Sequence, residues 1–238
     1  MKLFFVILIV LAAGTYAFAG DPTIQSLWAD SDPALTTDAK SPFWQGSPPI
    51  YMDGDTRGKP DAKYRTEIRT RWTQNNLYFL FICPYEELNL KPQPTRTAET
   101  YELWNWDVAE AFIGADFKNI RRYKEFEISP QGEWVDLDID LDKPHHEDGW
   151  KWNSGFAASA RIDQGAHVWY GAMKIPYSAI DTRPAQAGNV LRINLFRSQG
   201  PESSRHHIAW QAPMRDSFHV PEKFGLLKLV RNKERGSK

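Results

Sequence analysis

From residue 67 onward, apolar and polar positions alternate in short runs of period two, and no stretch keeps the three-to-four spacing of an amphipathic helix. Residues 67–72 (EIRTRW) and 77–83 (LYFLFIC) flank the turn-forming TQNN and predict a hairpin. Further strands are predicted over 108–113, 123–128, 134–141, 156–162, 167–175, 191–197, 206–211 and 224–230. Pro130-Gln131-Gly132 and Asp163-Gln164-Gly165 supply two of the turns between them. Short strands at this spacing, with few or no helices, predict an all-β fold: a single-domain antiparallel β-sandwich of jelly-roll type. The Pro-, Gly- and Asp-rich segment 20–66 is expected to wrap the sandwich, with one short strand near 49–52. Residues 67–230 form its core, and 231–238 a solvated basic tail.

Residues 1–19 read differently. Lys2 precedes an unbroken apolar run over 3–13, and Ala17-Phe18-Ala19 closes the segment with a cleavage pattern, so an exported protein is expected, periplasmic or extracellular. The run is shorter than the roughly 18 residues of a membrane span, and no later segment reaches that length. Losing the leader takes Lys2 from the 29 basic residues and leaves 30 acidic ones in excess, which argues against a nucleic-acid partner. Cys83, the single cysteine, falls in an apolar run and is expected to be a buried small hydrophobe. Oligomeric state is not legible in the sequence.

Three segments carry candidate chemistry. LWNWDVAEAFI (103–113) places Trp104 and Trp106 on one face if a strand has begun there, with Asn105 and Asp107 on the other. Aromatic rings beside carboxylates suit a sugar, whose C–H face stacks on the ring while its hydroxyls donate to acidic oxygens. VDLDIDLD (135–142) puts carboxylates on one strand face and apolar residues on the other, giving a half-buried strand with a solvated acidic face. Like charges at that spacing repel, and Ca²⁺ on Asp136, Asp138 and Asp140 would relieve them. Glu125 and Glu127 share a strand face and raise the question of glycoside hydrolysis, although acid–base pairs ordinarily face each other across a cleft. The His145-His146 and His206-His207 pairs point to opposite faces of any regular strand, and neither HExxH nor GxSxG occurs. Phe218, on a polar stretch before Pro221, is expected on a loop.

The order of motifs is informative. The hairpin ending LYFLF is followed by W-x-x-D-x-x-E-x-F-I (Trp104, Asp107, Glu110, Phe112, Ile113). Then come Y-x-E-F-E-I-S-P over 123–130, Ile175-Pro176, R-x-N (Arg192, Asn194), Trp210 and P-x-K-F-G-x-L-x-L over 221–229. This series, spanning 67–229, resembles carbohydrate-binding module family nine and its wider β-sandwich relatives. The resemblance implies non-catalytic binding of a carbohydrate end between two aromatic walls, in the service of polysaccharide breakdown. Trp104 would be one wall and Phe218 the other, where the family pattern has a second Trp. Glu110 matches the family's acidic hydroxyl acceptor, and Glu127 stands where the pattern has an Arg. Arg215 could supply the missing donors, with Trp106 and Asp107 completing the set. The family also carries structural calcium.

Two other readings follow from the same resemblance. Related sandwiches hold haem between Met and His residues, for which Met52, Met173, Met214 and His219 are of the right type. The other is a hydrolase acting on O-glycosyl bonds, or an accessory component of one, with Glu125 and Glu127 at work.

Overall fold

A computed structural model describes residues 21–231. The export signal read over 1–19, and all of the basic tail after residue 231, lie outside them. Apolar runs read as strands become strands, each paired with a neighbour. They are β1 (Thr23–Trp28), β2 (Ile50–Met52), β3 (Gly54–Asp55), β4 (Thr66–Trp72), β5 (Asn76–Pro84), β6 (Val108–Gly114), β7 (Arg122–Ile128), β8 (Trp134–Asp140), β9 (Ala157–Asp163), β10 (Val168–Pro176), β11 (Val190–Gln199), β12 (His206–Ala209) and β13 (Gly225–Val230). One α-helix, α1, is four residues long (Tyr177–Ile180), and short 3₁₀ turns make up the rest. No helix among the described residues is long and apolar enough to cross a membrane.

Hydrogen bonding runs β8-β7-β6-β11-β13-β1-β4-β5-β10-β9, with β2 on β4, β12 on β11 and β3 on β12. β1 lies parallel to both β13 and β4 and joins two antiparallel halves. The segment expected only to wrap the sandwich therefore also supplies a strand inside the sheet. It wraps as well: Trp44 covers Tyr78, Leu80 and Ala172 on the outer face of the β4-β5-β10-β9 half. Asp32 accepts hydrogen bonds from Thr73, Asn76 and Tyr78 at the β4–β5 turn.

The inner faces of the two halves meet in one core. Ile113, Phe126 and Ile193 come from the first half, and Phe79, Phe81, Trp169 and Met173 from the second, all fully buried. Each such side chain contributes about 1.5–3 kcal/mol relative to exposure. Cys83 lies in this core, and burial pushes its thiol up to about 12, the condition of an unreactive cysteine.

β8 uses its alternation in an unexpected way. Val135, Leu137 and Ile139 belong to a second apolar cluster on the outer face of the first half. The acidic positions lie on the other side, opposite Phe126, Lys124 and Arg122 of β7. Asp138 pairs with Lys124 at 2.5 Å and Asp140 with Arg122 at 3.0 Å, while Asp136 accepts from the Ser154 hydroxyl and from its N–H at 3.2 Å. Of the three, only Asp138 stays exposed. The solvated acidic face expected from the sequence is thus largely covered, because β7 supplies its own cations and residue 154 its donors.

The 3₁₀ segment His146–Lys151 lies against β8 and brings His146, Glu147 and Trp150 to the outer face. Gly149 is the point of closest approach: a Cβ there would meet the Asp138 backbone, with Asp138 C at 2.8 Å. Strand backbone cannot move aside without breaking its ladder. Gly149→Ala is expected to lower the free energy of unfolding by about 1–3 kcal/mol, measured by urea denaturation. A change within about 0.3 kcal/mol would show that the segment is held elsewhere.

Candidate functional site

β11, β6, β7 and β8 lie side by side, and their register builds a grid on the outer face. Phe196, Glu110, Glu127 and Val135 form one row across the strands; Asn194, Phe112, Glu125 and Leu137 form the next. Alternation puts Ala109, Ala111, Phe126 and Ile128 of the same strands into the core. Above the grid is a pocket of about 380 Å³, within the size range of small-ligand sites. Trp104 and Phe218 both line it, with Glu110, Glu125, His219 and His207 among their neighbours. Trp104 and Phe218 are each half-buried.

The aromatic residues are held from behind. Phe218 stacks on Phe196 with ring centroids 4.3 Å apart and planes 4° from parallel. Trp104 meets Tyr101 edge to face at 5.4 Å, and Tyr101 in turn packs on Trp150. Trp104 does not lie on a strand. Glu102 takes a left-handed conformation (φ 60°) and a 3₁₀ turn, Leu103–Asn105, follows, so β6 begins only at Val108. The shared strand face expected for Trp104 and Trp106 is therefore absent.

Below the aromatics lie three carboxylates. An oxygen from each of Glu110, Glu125 and Glu127 falls within 4.8 Å of the others. Glu127 is fully buried and neither of its oxygens has a hydrogen-bond partner; one oxygen each of Glu110 and Glu125 is likewise unpaired. Burial pushes Glu125 up to about 7. Burial and then neighbouring glutamates hold Glu110 and Glu127 well above the usual carboxylate range. Arg205 acts on Glu110 only from a distance. Its N–H groups go to the carbonyls of Gly200, Trp104 and Trp106. His219 shares a 2.6 Å hydrogen bond through Nδ1 with the Tyr123 hydroxyl, and burial followed by nearby His146 pushes its ring down to about 3, so it is neutral at physiological pH.

The other sequence candidates lie elsewhere. Asp107 is fully buried and accepts from the N–H groups of Gly200 (2.7 Å) and Asn89 (3.2 Å), so it braces loops rather than facing the pocket. Trp106 contributes a carbonyl to Arg205 but does not line the pocket. Arg215 is exposed and outside the lining, where its neighbours Asp216 and Ser217 are found instead. Met52 and Met173 are buried in the core between the halves, and Met214 is half exposed. None of the three lines the pocket that His219 lines.

Residues 38–232 match the family described as carbohydrate family 9 binding domain-like. The chain belongs to that family. Its fold is similar to a family 9 carbohydrate-binding module of Caldicellulosiruptor kristjanssonii in complex with cellotriose, with TM-score 0.64 and 12% identity over 91% of this chain and 98% of that one. A family 9 module of the same organism in complex with glucose aligns at TM-score 0.60 and 12% identity, covering 90% and 100% of the two chains. An extracellular protein of Arthroderma benhamiae is 26% identical over 135 residues, 52% of this chain and 60% of that relative. In this family 9 chain, the sequence pointed to Trp104, Phe218, Glu110 and Glu125 in the lining, and to Glu127 outside it, but not to His146, Glu147, Ser198, His207 or Asp216. Ser198 was within reach: paired with Val108, it shares a face with Glu110. The others come from separate segments that no local pattern connects.

Two pocket groups act oppositely on stability. Glu125 keeps its proton in the fold up to about 7 but loses it near 4.5 when unfolded, so its contribution falls as pH rises through that window. His219, neutral in the fold down to about 3, contributes stability that grows as pH rises to about 6.5. Substituting one group separates them. With chelator present, the stability of Glu125→Gln relative to wild type is expected to rise by about 3 kcal/mol between pH 4.5 and 7.5. Urea unfolding at a series of pH values checks this, and a flat difference contradicts the burial of Glu125.

Proposed function

We propose that this family 9 chain is an exported carbohydrate-binding module that holds a sugar ring between Trp104 and Phe218. Its hydroxyls donate to Glu110 and neighbouring acceptors. The observation that carries this is a single pocket with Trp104 and Phe218 in its walls and glutamates in its floor. A pyranose offers an apolar C–H face to an aromatic ring and hydroxyl donors to an acidic surface, and few other small ligands offer both. The sugars in the complexes of the two family 9 modules, cellotriose and glucose, support gluco-configured ligands as the first to test. Export is supported by the leader pattern over 1–19 and by the extracellular relative.

Binding without turnover is the favoured activity. Glu110, Glu125 and Glu127 lie together on adjacent strands. Glycoside cleavage asks instead for two carboxyl groups flanking the bond, one on each side. The link to polysaccharide breakdown remains part of this proposal.

Stacking on each ring contributes about 0.5–1.5 kcal/mol beyond area burial, and a few hydrogen bonds about 1 kcal/mol each. Affinities of about 10⁻⁶ to 10⁻³ M follow. Trp104→Ala and Phe218→Ala are each expected to weaken cellotriose binding ~10-fold or more, followed by quenching of the chain's ten tryptophans. Circular dichroism should show the fold retained. Wild-type affinity in both folded variants would place the sugar elsewhere.

A further inference from the structure

We propose that Glu110, Glu125 and Glu127 bind one oxygen-preferring divalent cation, Ca²⁺ foremost, in the floor of the pocket. The site is distinct from the acidic strand, where Asp136, Asp138 and Asp140 already have Ser154, Lys124 and Arg122 as partners.

The first support is geometric. Two oxygens that share a Ca²⁺ at about 2.3–2.6 Å lie no more than about 5 Å apart. One oxygen from each of the three glutamates meets that limit, all lying within 4.8 Å of one another.

The second support concerns Glu127 alone. It is 0% exposed, and neither oxygen accepts a hydrogen bond from any group of the chain. Buried carboxylates are ordinarily paired with a cation or with donors, since desolvation without compensation costs several kcal/mol. None of the ion pairs among the described residues reaches this trio, and Arg205 is committed to three carbonyls and lies 3.9 Å from Asp107. Glu127 sits directly opposite Glu110 across the β6–β7 ladder, so its unpaired oxygens belong to the same cluster.

Donor type selects the ion. Three carboxylates and no thiolate suit a hard cation better than zinc, and Cys83 is in the core on the far side of the strands. Of the imidazoles lining the pocket, His219 has its Nδ1 engaged by Tyr123 and His207 its Nδ1 by Ser198.

Position gives the site its use. Glu110 and Glu125 line the pocket, whereas Glu127 lies behind them. An ion held by all three keeps coordination positions open toward the pocket, where two adjacent hydroxyls of a sugar could fill them. This last step rests on the sugar-binding reading; the cation site does not.

The test uses the full chain, stripped with EDTA and dialysed. Calorimetric titrations with CaCl₂, MgCl₂, MnCl₂ and ZnCl₂, without sugar, are expected to show about one site per chain, tightest for Ca²⁺, and Ca²⁺ should raise the melting temperature. Glu127→Gln keeps the side-chain shape and removes a buried acid, so it is expected to fold and to lose at least ~10-fold in Ca²⁺ affinity; Glu110→Gln provides a second variant. Asp138→Asn is expected to bind as wild type does. The site is overturned by absence of Ca²⁺ binding up to millimolar concentration, by wild-type affinity in folded Glu127→Gln and Glu110→Gln, or by loss of binding in Asp138→Asn. Binding of glucosamine but of no metal would assign the carboxylates to an ammonium group and also overturn it. A cellotriose titration with and without EDTA tests the bridging role, which an unchanged affinity rejects. Sugar binding without metal binding leaves the sugar reading standing and removes this inference; metal binding without binding of any sugar does the reverse.

Discussion

The register between β6 and β7 determines what the pocket contains. Glu110 stands opposite Glu127, and Phe112 opposite Glu125. A slip of one residue in either strand would exchange its two faces, sending carboxylates into the core and turning Phe126 and Ile128, or Ala111 and Ile113, toward the pocket. What prevents the slip is the apolar set itself, whose burial against Phe79, Phe81 and Trp169 contributes about 1.5–3 kcal/mol for each large side chain. Three acidic groups are therefore assembled by forces that act on other residues. The hydrophobic effect on one side of the strands imposes proximity on the other.

That division explains which parts of the molecule could be read from sequence. Strands β4 to β13 follow period-two patterns or apolar runs bounded by turns, and their predicted limits agree within a few residues. β1 escaped because TIQSLW is short and pairs in parallel with residues near 71 and 226–230, so no adjacent hairpin announces it. Trp104 and Trp106 were assigned by alternation to a strand that had not yet begun, and the left-handed backbone at Glu102 has no mark in the sequence. Glu125 and Glu127 were visible as neighbours on one face, and Glu110 came through the family motif. Their burial was not legible: it depends on cover from the turn at 103–105 and from segments near 146 and 218, remote in sequence.

The two outer faces of the sandwich have contrasting fates. On the β4-β5-β10-β9 half, the N-terminal segment lays Trp44, Leu35 and Phe43 over Tyr78 and Leu80 and closes the surface with apolar contacts. On the β8-β7-β6-β11 half, the corresponding cover consists of short turns carrying Trp104, Trp150 and Phe218, and it leaves a cavity above the glutamates. Both faces need cover, because each presents aromatic side chains that would otherwise meet water. Only the second is covered by separate turns rather than one continuous segment, and gaps between turns are where a ligand can enter.

The polarity of the pocket then sets a requirement on whatever enters it. Sugar hydroxyls both donate and accept, and a floor of carboxyl groups offers donors only while those groups hold their protons. Glu127 adds a third carboxyl group to that floor, and further donors come from the residues around it. Neutral His219 is one source: it lines the pocket, its Nδ1 shares a hydrogen bond with the Tyr123 hydroxyl, and in the tautomer protonated at Nε2 the ring offers an N–H. Ser198 is another. A carboxyl group buried with no basic partner has no counter-charge within the chain. A fold that retains three such groups without a basic partner leaves their compensation to protons or to something bound, and the choice between those two is a choice about how the pocket works.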